Sequence, residues 1–200
     1  MATTSPQMKT VMLNGIAVGE VASTGDMERD VAVMRQFLKD KGLYEEVTPF
    51  QATLNQAVAF ANTSALLYER DLRRLPRKGV SVVPFVVNAA FSIELYLKAL
   101  TQKHGQKPPK GHELVKLFER LPAAALSAIG EVTPRCAENR ALREAPTLKA
   151  YLETLNSAFI EWRYCYELER TGIIHIEPTI FVMEVLHEAC RLPPHQGAEV

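Results

Sequence analysis

The sequence predicts a mainly α protein, an antiparallel helical bundle preceded by a small β-hairpin and one helix. Two observations carry this prediction. Asn14-Gly15 separates two β-prone runs near the start, and from Thr48 onward the apolar residues recur at helical spacing in several long stretches. We therefore expect a ββα appendage over residues 1–44, a helical bundle over 45–192 and a disordered tail over 193–200.

The bulk composition indicates an ordinary soluble globular protein. The chain has 200 residues, of which 47% are hydrophobic and 23% charged. We expect no apolar run long enough to span a membrane, and the first residues do not have the pattern of a secretory signal. Three widely separated cysteines suggest free thiols and a cytoplasmic location, namely Cys136, Cys165 and Cys190.

The first 44 residues are expected to form the ββα unit. The strands are predicted at Lys9–Leu13 and Ile16–Val21, and Gly19 can mark a bulge or a close approach. A helix follows, with an apolar stripe and an end at Gly42; the stripe consists of Met27, Val31, Met34 and Leu38, with Phe37 beside them. Because an isolated hairpin is marginal in water, it must pack on its own helix, on the bundle or on a second copy.

The remaining chain is expected to contain the helices of the bundle. Residues 122–145 are the least determined, with one or two helical turns at Ala123–Ile129. A final helix opens at Pro178. The other predicted helices run from Thr48 to about Leu75, from Ser81 to His104, from Gly111 to Leu121 and from Pro146 to Glu169.

One predicted helix is apolar on nearly every side and yet carries two charges. Glu94 projects from the same side as Val87, Ala90 and Phe91, and Lys98 lies one turn further on. A carboxylate in that position should be partly buried and needs a partner. An ion pair with Lys98 or another structural contact is the favoured interpretation, and the alternative is a polar site shared with Arg163 or His112.

Three segments, in this order, resemble the HEPN superfamily of helical-bundle proteins. Ala90–Leu100 is similar to the family's helix with a glutamate and, four residues later, a lysine. Gly111–Leu114 is similar to its His-Asp-Leu step into a short helix, and Phe159–Glu167 is similar to its late helix with an arginine. The resemblance covers roughly residues 48–190 and leaves the ββα unit outside.

The resemblance implies an up-and-down bundle that commonly forms a homodimer. Many members are metal-independent endoribonucleases with an arginine followed, after four to six residues, by a histidine; others lack the histidine and bind nucleotides or partner proteins. No histidine follows Arg163 in that range. Arg170 and His175 have the spacing, but Gly172 reads better as a helix end, which would point the two side chains apart.

We therefore expect a non-catalytic binding module, able to bind nucleotide or RNA near Arg163. The alternatives are a metal-independent ribonuclease, with Arg163, Arg170 and His175 as catalytic candidates, and a scaffold that holds a partner protein through its hairpin. No cofactor and no metal site is predicted. The residues proposed to bind a ligand are Arg163, Glu94, His112 and Tyr164.

The middle of the chain carries the excess of positive charge. Residues 48–120 contain 11 basic and 5 acidic side chains. Two clusters follow the first two long helices: Arg70, Arg73, Arg74, Arg77 and Lys78, and then Lys103, His104, Lys107 and Lys110. Solvated helix ends are the favoured interpretation for both clusters over a nucleic-acid surface.

Overall fold

The structure is a computed structural model, and it describes residues 7–140, 147–156, 162 and 176–193. The chain divides into two compact units, Met1–Val47 and Thr48–Val200. The fold class predicted from the sequence is confirmed, because a two-stranded hairpin and one helix are followed by a bundle of helices. The two units are described separately below.

The first unit is the predicted ββα unit. Strands β1 (Met8–Leu13) and β2 (Ile16–Ala22) pair antiparallel, and helix α1 spans Met27–Asp40. The turn between the strands has φ of 50° at Asn14 and 82° at Gly15, as a type I′ turn requires. Asp26 caps α1, because its side chain accepts a hydrogen bond from the backbone N–H of Arg29 at 2.8 Å.

Gly19 is the point where α1 approaches the hairpin most closely. The strand register shifts between Val11 and Met12, opposite Gly19. A Cβ atom at Gly19 would lie 2.4 Å from Cζ of Phe37, and the residue has φ of 153°. The prediction that Gly19 marks a bulge or a close approach is confirmed on both counts.

A buried carboxylate sets the rotation of α1 on the hairpin. Asp30 accepts hydrogen bonds from Lys9 Nζ at 2.7 Å, Ser23 Oγ at 2.7 Å and Thr24 N at 2.6 Å. Asp30 and Phe37, seven residues apart, therefore share the face of α1 that meets the strands. The predicted stripe is wrong at its start for this reason, since Met27 and Val31 are 81% and 48% exposed.

The second unit is the helical bundle. Helix α2 (Pro49–Leu67) continues as a π-helical turn at Tyr68–Leu72, and a short 3₁₀ turn at Gly79–Ser81 leads into α3. The helices that follow are α3 (Val82–Lys103), α4 (Leu114–Glu119), α5 (Ala123–Asn139), α6 (Leu148–Leu155) and α7 (Ile176–Arg191).

Helix α3 occupies the centre of this unit. It packs against α2, α4 and α7, and α7 also packs against α5 and α6. The whole run from Ser92 to Leu97 is buried, so this stretch of α3 is covered on every side. This accounts for the apolar character of the helix around its full circumference.

The length of α3 corrects one expectation from the sequence. Gly79–Lys103 is long and apolar enough to cross a membrane by length and composition, so the expectation that no run has this length is wrong. The most apolar part of this stretch is 61% buried inside the bundle. Core helices of soluble proteins meet the same criteria, because burial on all sides demands the same composition.

Several helices of the bundle differ from the predicted bounds, and the last one already contains Ile176 and Glu177 instead of opening at Pro178. Helix α4 begins at Leu114, three residues later than expected, because Glu113 is extended and His112 is engaged elsewhere. Helix α5 runs on to Asn139 instead of ending near Ile129. Its buried stripe extends it past Pro134, and that stripe comprises Ala125, Ala128, Ile129, Val132 and Cys136.

The predicted helix over Pro146–Glu169 is only partly within the described residues. Helix α6 covers its first part, capped by Thr147, whose Oγ1 accepts from the N–H of Ala150 at 3.3 Å. Trp162 is described as helical and packs, half-buried, against the core. The remainder of that helix and the tail from residue 194 lie outside the described residues.

Candidate functional site

The buried carboxylate of Glu94 is the polar centre of the bundle. Glu94 lies in the middle of α3, and its side chain is only 2% exposed. Lys98 Nζ lies 2.6 Å from Oε1, and His112 Nδ1 lies 3.0 Å from both Oε1 and Oε2. The expectation that Glu94 is buried and paired is confirmed, and its partners include both Lys98 and His112.

The chain that precedes α4 brings His112 to this carboxylate. Gly111 has φ of 115°, a conformation that residues with a Cβ atom rarely adopt, and His112 and Glu113 then run into α4. Leu114 and Leu117 anchor the short helix in the core. His112 is therefore held between a backbone turn and a buried helix face.

The first turn of α4 is fixed by Asn156, a residue that no sequence pattern singles out. Asn156, directly after α6, accepts a hydrogen bond at Oδ1 from the backbone N–H of Val115 at 3.0 Å. This N–H has no acceptor within its own helix, because it belongs to the first turn. Asn156 thus ties α6 to the segment that carries His112.

The contact with Glu94 determines how the His112 ring presents its nitrogens. A carboxylate only accepts hydrogen bonds, so Nδ1, which faces both of its oxygens, carries a hydrogen and donates. Nε2 lies on the opposite side of the ring. The His112 side chain is 61% exposed, so the histidine connects a buried charge with the surface.

An open pocket of about 280 Å³ lies beside His112. The segment before α4 forms one part of its wall and the exposed side of α4 forms the other. Its lining is mainly polar and basic, and consists of Pro109, Lys110, Gly111, His112, Glu113, Lys116, Leu117 and Arg120.

The charges in this pocket are unequal. Lys116 forms an ion pair with Glu113. Within the described ranges, neither Lys110 nor Arg120 has an ion-pair partner, and both are exposed. The pocket therefore carries an excess of positive charge beside a histidine whose ring is oriented by Glu94.

The first basic cluster, from Arg70 to Lys78, stabilises the connection between α2 and α3. Asp71 is buried and accepts from Arg70 Nη2 at 2.6 Å, Lys78 Nζ at 2.8 Å and Ser81 Oγ at 2.6 Å. The hydrogen bond from Arg70, followed by those from Lys78 and Ser81, holds the pKa of Asp71 well below its usual range. Much of this cluster is thus bound to local structure, a role that the interpretation as solvated helix ends did not include.

The second basic cluster is divided between two roles. Lys103 Nζ donates to the backbone carbonyls of Ala189 at 3.1 Å and Cys190 at 2.9 Å, and it also contacts that of Leu192. It therefore stabilises the C-terminal end of α7, where carbonyl groups lack partners within the helix. Lys110, at the other end of the cluster, lies in the pocket instead.

Of the candidate site residues, the structure brings Glu94 and His112 together. Arg163, Tyr164, Arg170 and His175 lie outside the described residues. Sequence reasoning did not select two of the pocket's cations, Lys116 and Arg120. Their separation by four residues, on the exposed side of a helix whose other side is Leu114, Leu117 and Leu121, was the available signal.

Metal ligands are not clustered in the part of the chain that the structure describes. No group of three or more His, Cys, Asp or Glu side chains in those ranges is arranged to hold a metal ion. His187 and Cys190, spaced as a potential ligand pair, both contact Tyr96 instead, the former through its hydroxyl and the latter through its backbone carbonyl.

Comparison with known proteins gives one match. A family model described as HEPN domain matches residues 84–190, which is more than half of the chain. The match begins in α3 and ends in α7, so it contains Glu94, His112 and the whole basic pocket. No curated protein and no solved structure matches the chain.

Proposed function

The chain belongs to the HEPN domain family, whose modules are related to nucleotides and RNA, and from this membership we propose that it binds the phosphate group of a nucleotide or an RNA strand. The proposed site is the basic pocket beside His112, lined by Lys110, Lys116 and Arg120. The single observation that carries the proposal is this excess of positive charge next to a histidine with a fixed ring.

The chemistry of the lining suits a phosphate. Lysine and arginine donate charge-assisted hydrogen bonds to phosphate oxygens, and arginine can do so with two parallel bonds. Lys110 and Arg120 are exposed, so contact with an anion does not require either to leave an ion pair within the described residues. A ligand that bridged Lys110 and Arg120 would span the pocket between the loop and α4.

Glu94 has a positioning role in this proposal. It contacts Nδ1 of His112 and so fixes the orientation of the ring, which is part of the pocket lining. The carboxylate itself is too deeply buried to contact a ligand, with 2% of its side chain exposed. Its charge is balanced by Lys98, so it does not repel an anion in the pocket as a free carboxylate would.

The direct test measures binding of a fluorescently labelled single-stranded RNA by anisotropy, with unlabelled mononucleotide as competitor. We expect Lys110→Ala and Arg120→Ala each to weaken binding by about tenfold, the effect of losing one hydrogen bond to a charged group. Arg74→Ala is the matched control, because Arg74 is an exposed cation outside the pocket lining. Equal affinities for all three variants would refute the proposed site.

A parallel incubation of RNA with the protein in EDTA separates binding from cleavage. Intact RNA under conditions where anisotropy shows saturation supports a binding module. Fragments that form in EDTA would instead favour the metal-independent ribonuclease. Absence of both binding and cleavage would leave the scaffold as the surviving alternative.

A further inference from the structure

A second concave surface lies on the bundle away from the basic pocket. It is a groove between α2, α3 and α7 with a volume of about 180 Å³. Its walls are largely apolar, formed by Val58, Ala61 and Ala65 of α2 and by Ile180 and Met183 of α7. None of its lining residues is shared with the pocket beside His112.

A tyrosine and a histidine form the polar part of this groove. The hydroxyl of Tyr96 lies 3.1 Å from His187 Nδ1, and the two rings meet edge to face at 5.7 Å between centroids. Burial raises the pKa of Tyr96 and lowers the pKa of His187, so both groups are neutral near pH 7.

The neutral pair leaves one hydrogen-bond donor beside the apolar walls, and the exposed Asn62 of α2 adds a side-chain amide to the lining. A buried phenol retains its hydrogen and donates it to the best acceptor in reach, which here is Nδ1 of His187. The neutral imidazole then carries its own hydrogen on Nε2. His187 is half-buried and lines the groove, so this N–H is the group that an incoming acceptor would meet.

The groove does not offer a charge to a ligand. Its one carboxylate, Glu184, is 2.5 Å from Arg140 Nε and is therefore neutralised by that ion pair. Its histidine is neutral. An ion entering the groove would lose its hydration without gaining an unpaired opposite charge among the described lining residues, whereas an apolar ring would lose only ordered water.

We propose that this groove is a second ligand site, for a small uncharged aromatic molecule of one or two fused rings that carries a hydrogen-bond acceptor. The size is suitable, because an engineered apolar cavity of about 150 Å³ is known to take up benzene. Apolar walls with a few polar groups are the usual design of a small-molecule site. In this proposal, the hydrogen-bond acceptor of the ligand accepts from the Nε2–H group of His187.

The test uses isoquinoline as the probe and the full chain labelled with ¹³C at methionine methyl groups. At pH 7.5 isoquinoline is uncharged, and we expect a saturable shift of the Met183 methyl signal with Kd of about millimolar, a typical affinity for ten heavy atoms. N-methylisoquinolinium keeps the two fused rings, but its nitrogen carries a methyl group and a permanent charge and can no longer accept a hydrogen bond, so it should cause no shift at Met183.

Two variants locate the binding. Ala65→Leu fills the groove from an exposed position of α2, and should weaken isoquinoline binding at least fivefold. Ala59→Leu adds the same volume to an exposed position of α2 that does not line the groove, and should leave the affinity unchanged. Failure of isoquinoline to shift Met183 up to its solubility limit would overturn the proposal, as would equal binding by both variants or binding of the charged analogue.

Discussion

Glu94 shows how a single charge is accommodated in the most apolar helix of the molecule. Removing a carboxylate from water costs several kcal/mol unless its oxygens find donors. Lys98 supplies one donor from the same helix, and His112 supplies another from the segment before α4. The same carboxylate therefore joins two elements and orients the histidine that faces the pocket.

The stability of the bundle should depend strongly on this residue. Glu94→Ala leaves Lys98 and His112 without their shared acceptor, and we expect the free energy of unfolding to fall by about 3 kcal/mol. Glu69→Ala is the matched control: it removes a carboxylate from an exposed pair with Arg73 and should cost less than about 1 kcal/mol. Urea unfolding followed by the fluorescence of Trp162, the single tryptophan, measures both. Similar losses in the two variants would show that Glu94 is not a structural centre.

At the scale of elements, α1 is held against the hairpin by the close approach of Phe37 to Gly19 and by the hydrogen bonds to Asp30. The hairpin turn and the role of Gly19 could be predicted, because Asn-Gly and a lone strand glycine have local causes. The buried state of Asp30 could not, since its hydrogen-bond donors, Lys9 and Ser23, lie in the flanking hairpin and its end. A helical stripe drawn from apolar residues alone is therefore wrong at its start, where Met27 and Val31 are exposed.

The close approach can be tested by adding one methyl group. Gly19→Ala places a Cβ atom against the ring of Phe37, whereas Gly25→Ala meets no atom within 4 Å and isolates the effect of positive φ. We expect Gly25→Ala to cost about 1 kcal/mol, and Gly19→Ala to cost clearly more. The methyl NMR signals of buried Val11 and Val21 measure the folded population of the ββα unit in each variant. A smaller effect at Gly19 would mean that α1 does not pack there.

The hydrogen bonds to Asp30 predict how the stability of the ββα unit changes at low pH. Hydrogen bonds from Lys9, Thr24 and Ser23 hold the pKa of Asp30 well below its usual range. The unfolded state therefore binds the proton first, so the contribution of Asp30 is complete above about pH 4 and is lost as the pH falls further. Methyl NMR at decreasing pH should show the unit loosening in the wild type. Asp30→Asn should be less stable at pH 7 and show a weaker pH dependence; an unchanged acid response would contradict the assignment to Asp30.

At the scale of the whole molecule, the helical bundle could be predicted from the sequence, but the pocket proposed as the binding site could not. Repeated apolar spacing gives helices and their order, because burial of a face is a local requirement. The basic pocket depends on where α4 turns relative to the loop before it, and that geometry comes from Glu94 and Asn156, which are distant in sequence. A homodimer and a cytoplasmic location stay predictions.

The division of the chain into two compact units predicts that the helical bundle folds independently. The family match lies within Thr48–Val200, and the core cluster is formed by residues of that unit. A fragment of residues 48–200 should therefore fold alone, with the helical circular-dichroism signal and cooperative melting of a bundle. Loss of cooperative melting in the fragment would show that the ββα unit is part of the same folding unit.

The salt dependence of RNA affinity tests the central claim, phosphate binding in the pocket beside His112, most directly. For a single strand, the slope of log affinity against log salt changes by about 0.7 for each phosphate contact. The double variant Lys110→Ala/Arg120→Ala should therefore bind more weakly than the wild type, with a slope smaller in magnitude by about 1.4. The same affinity and the same slope in both proteins would contradict the claim.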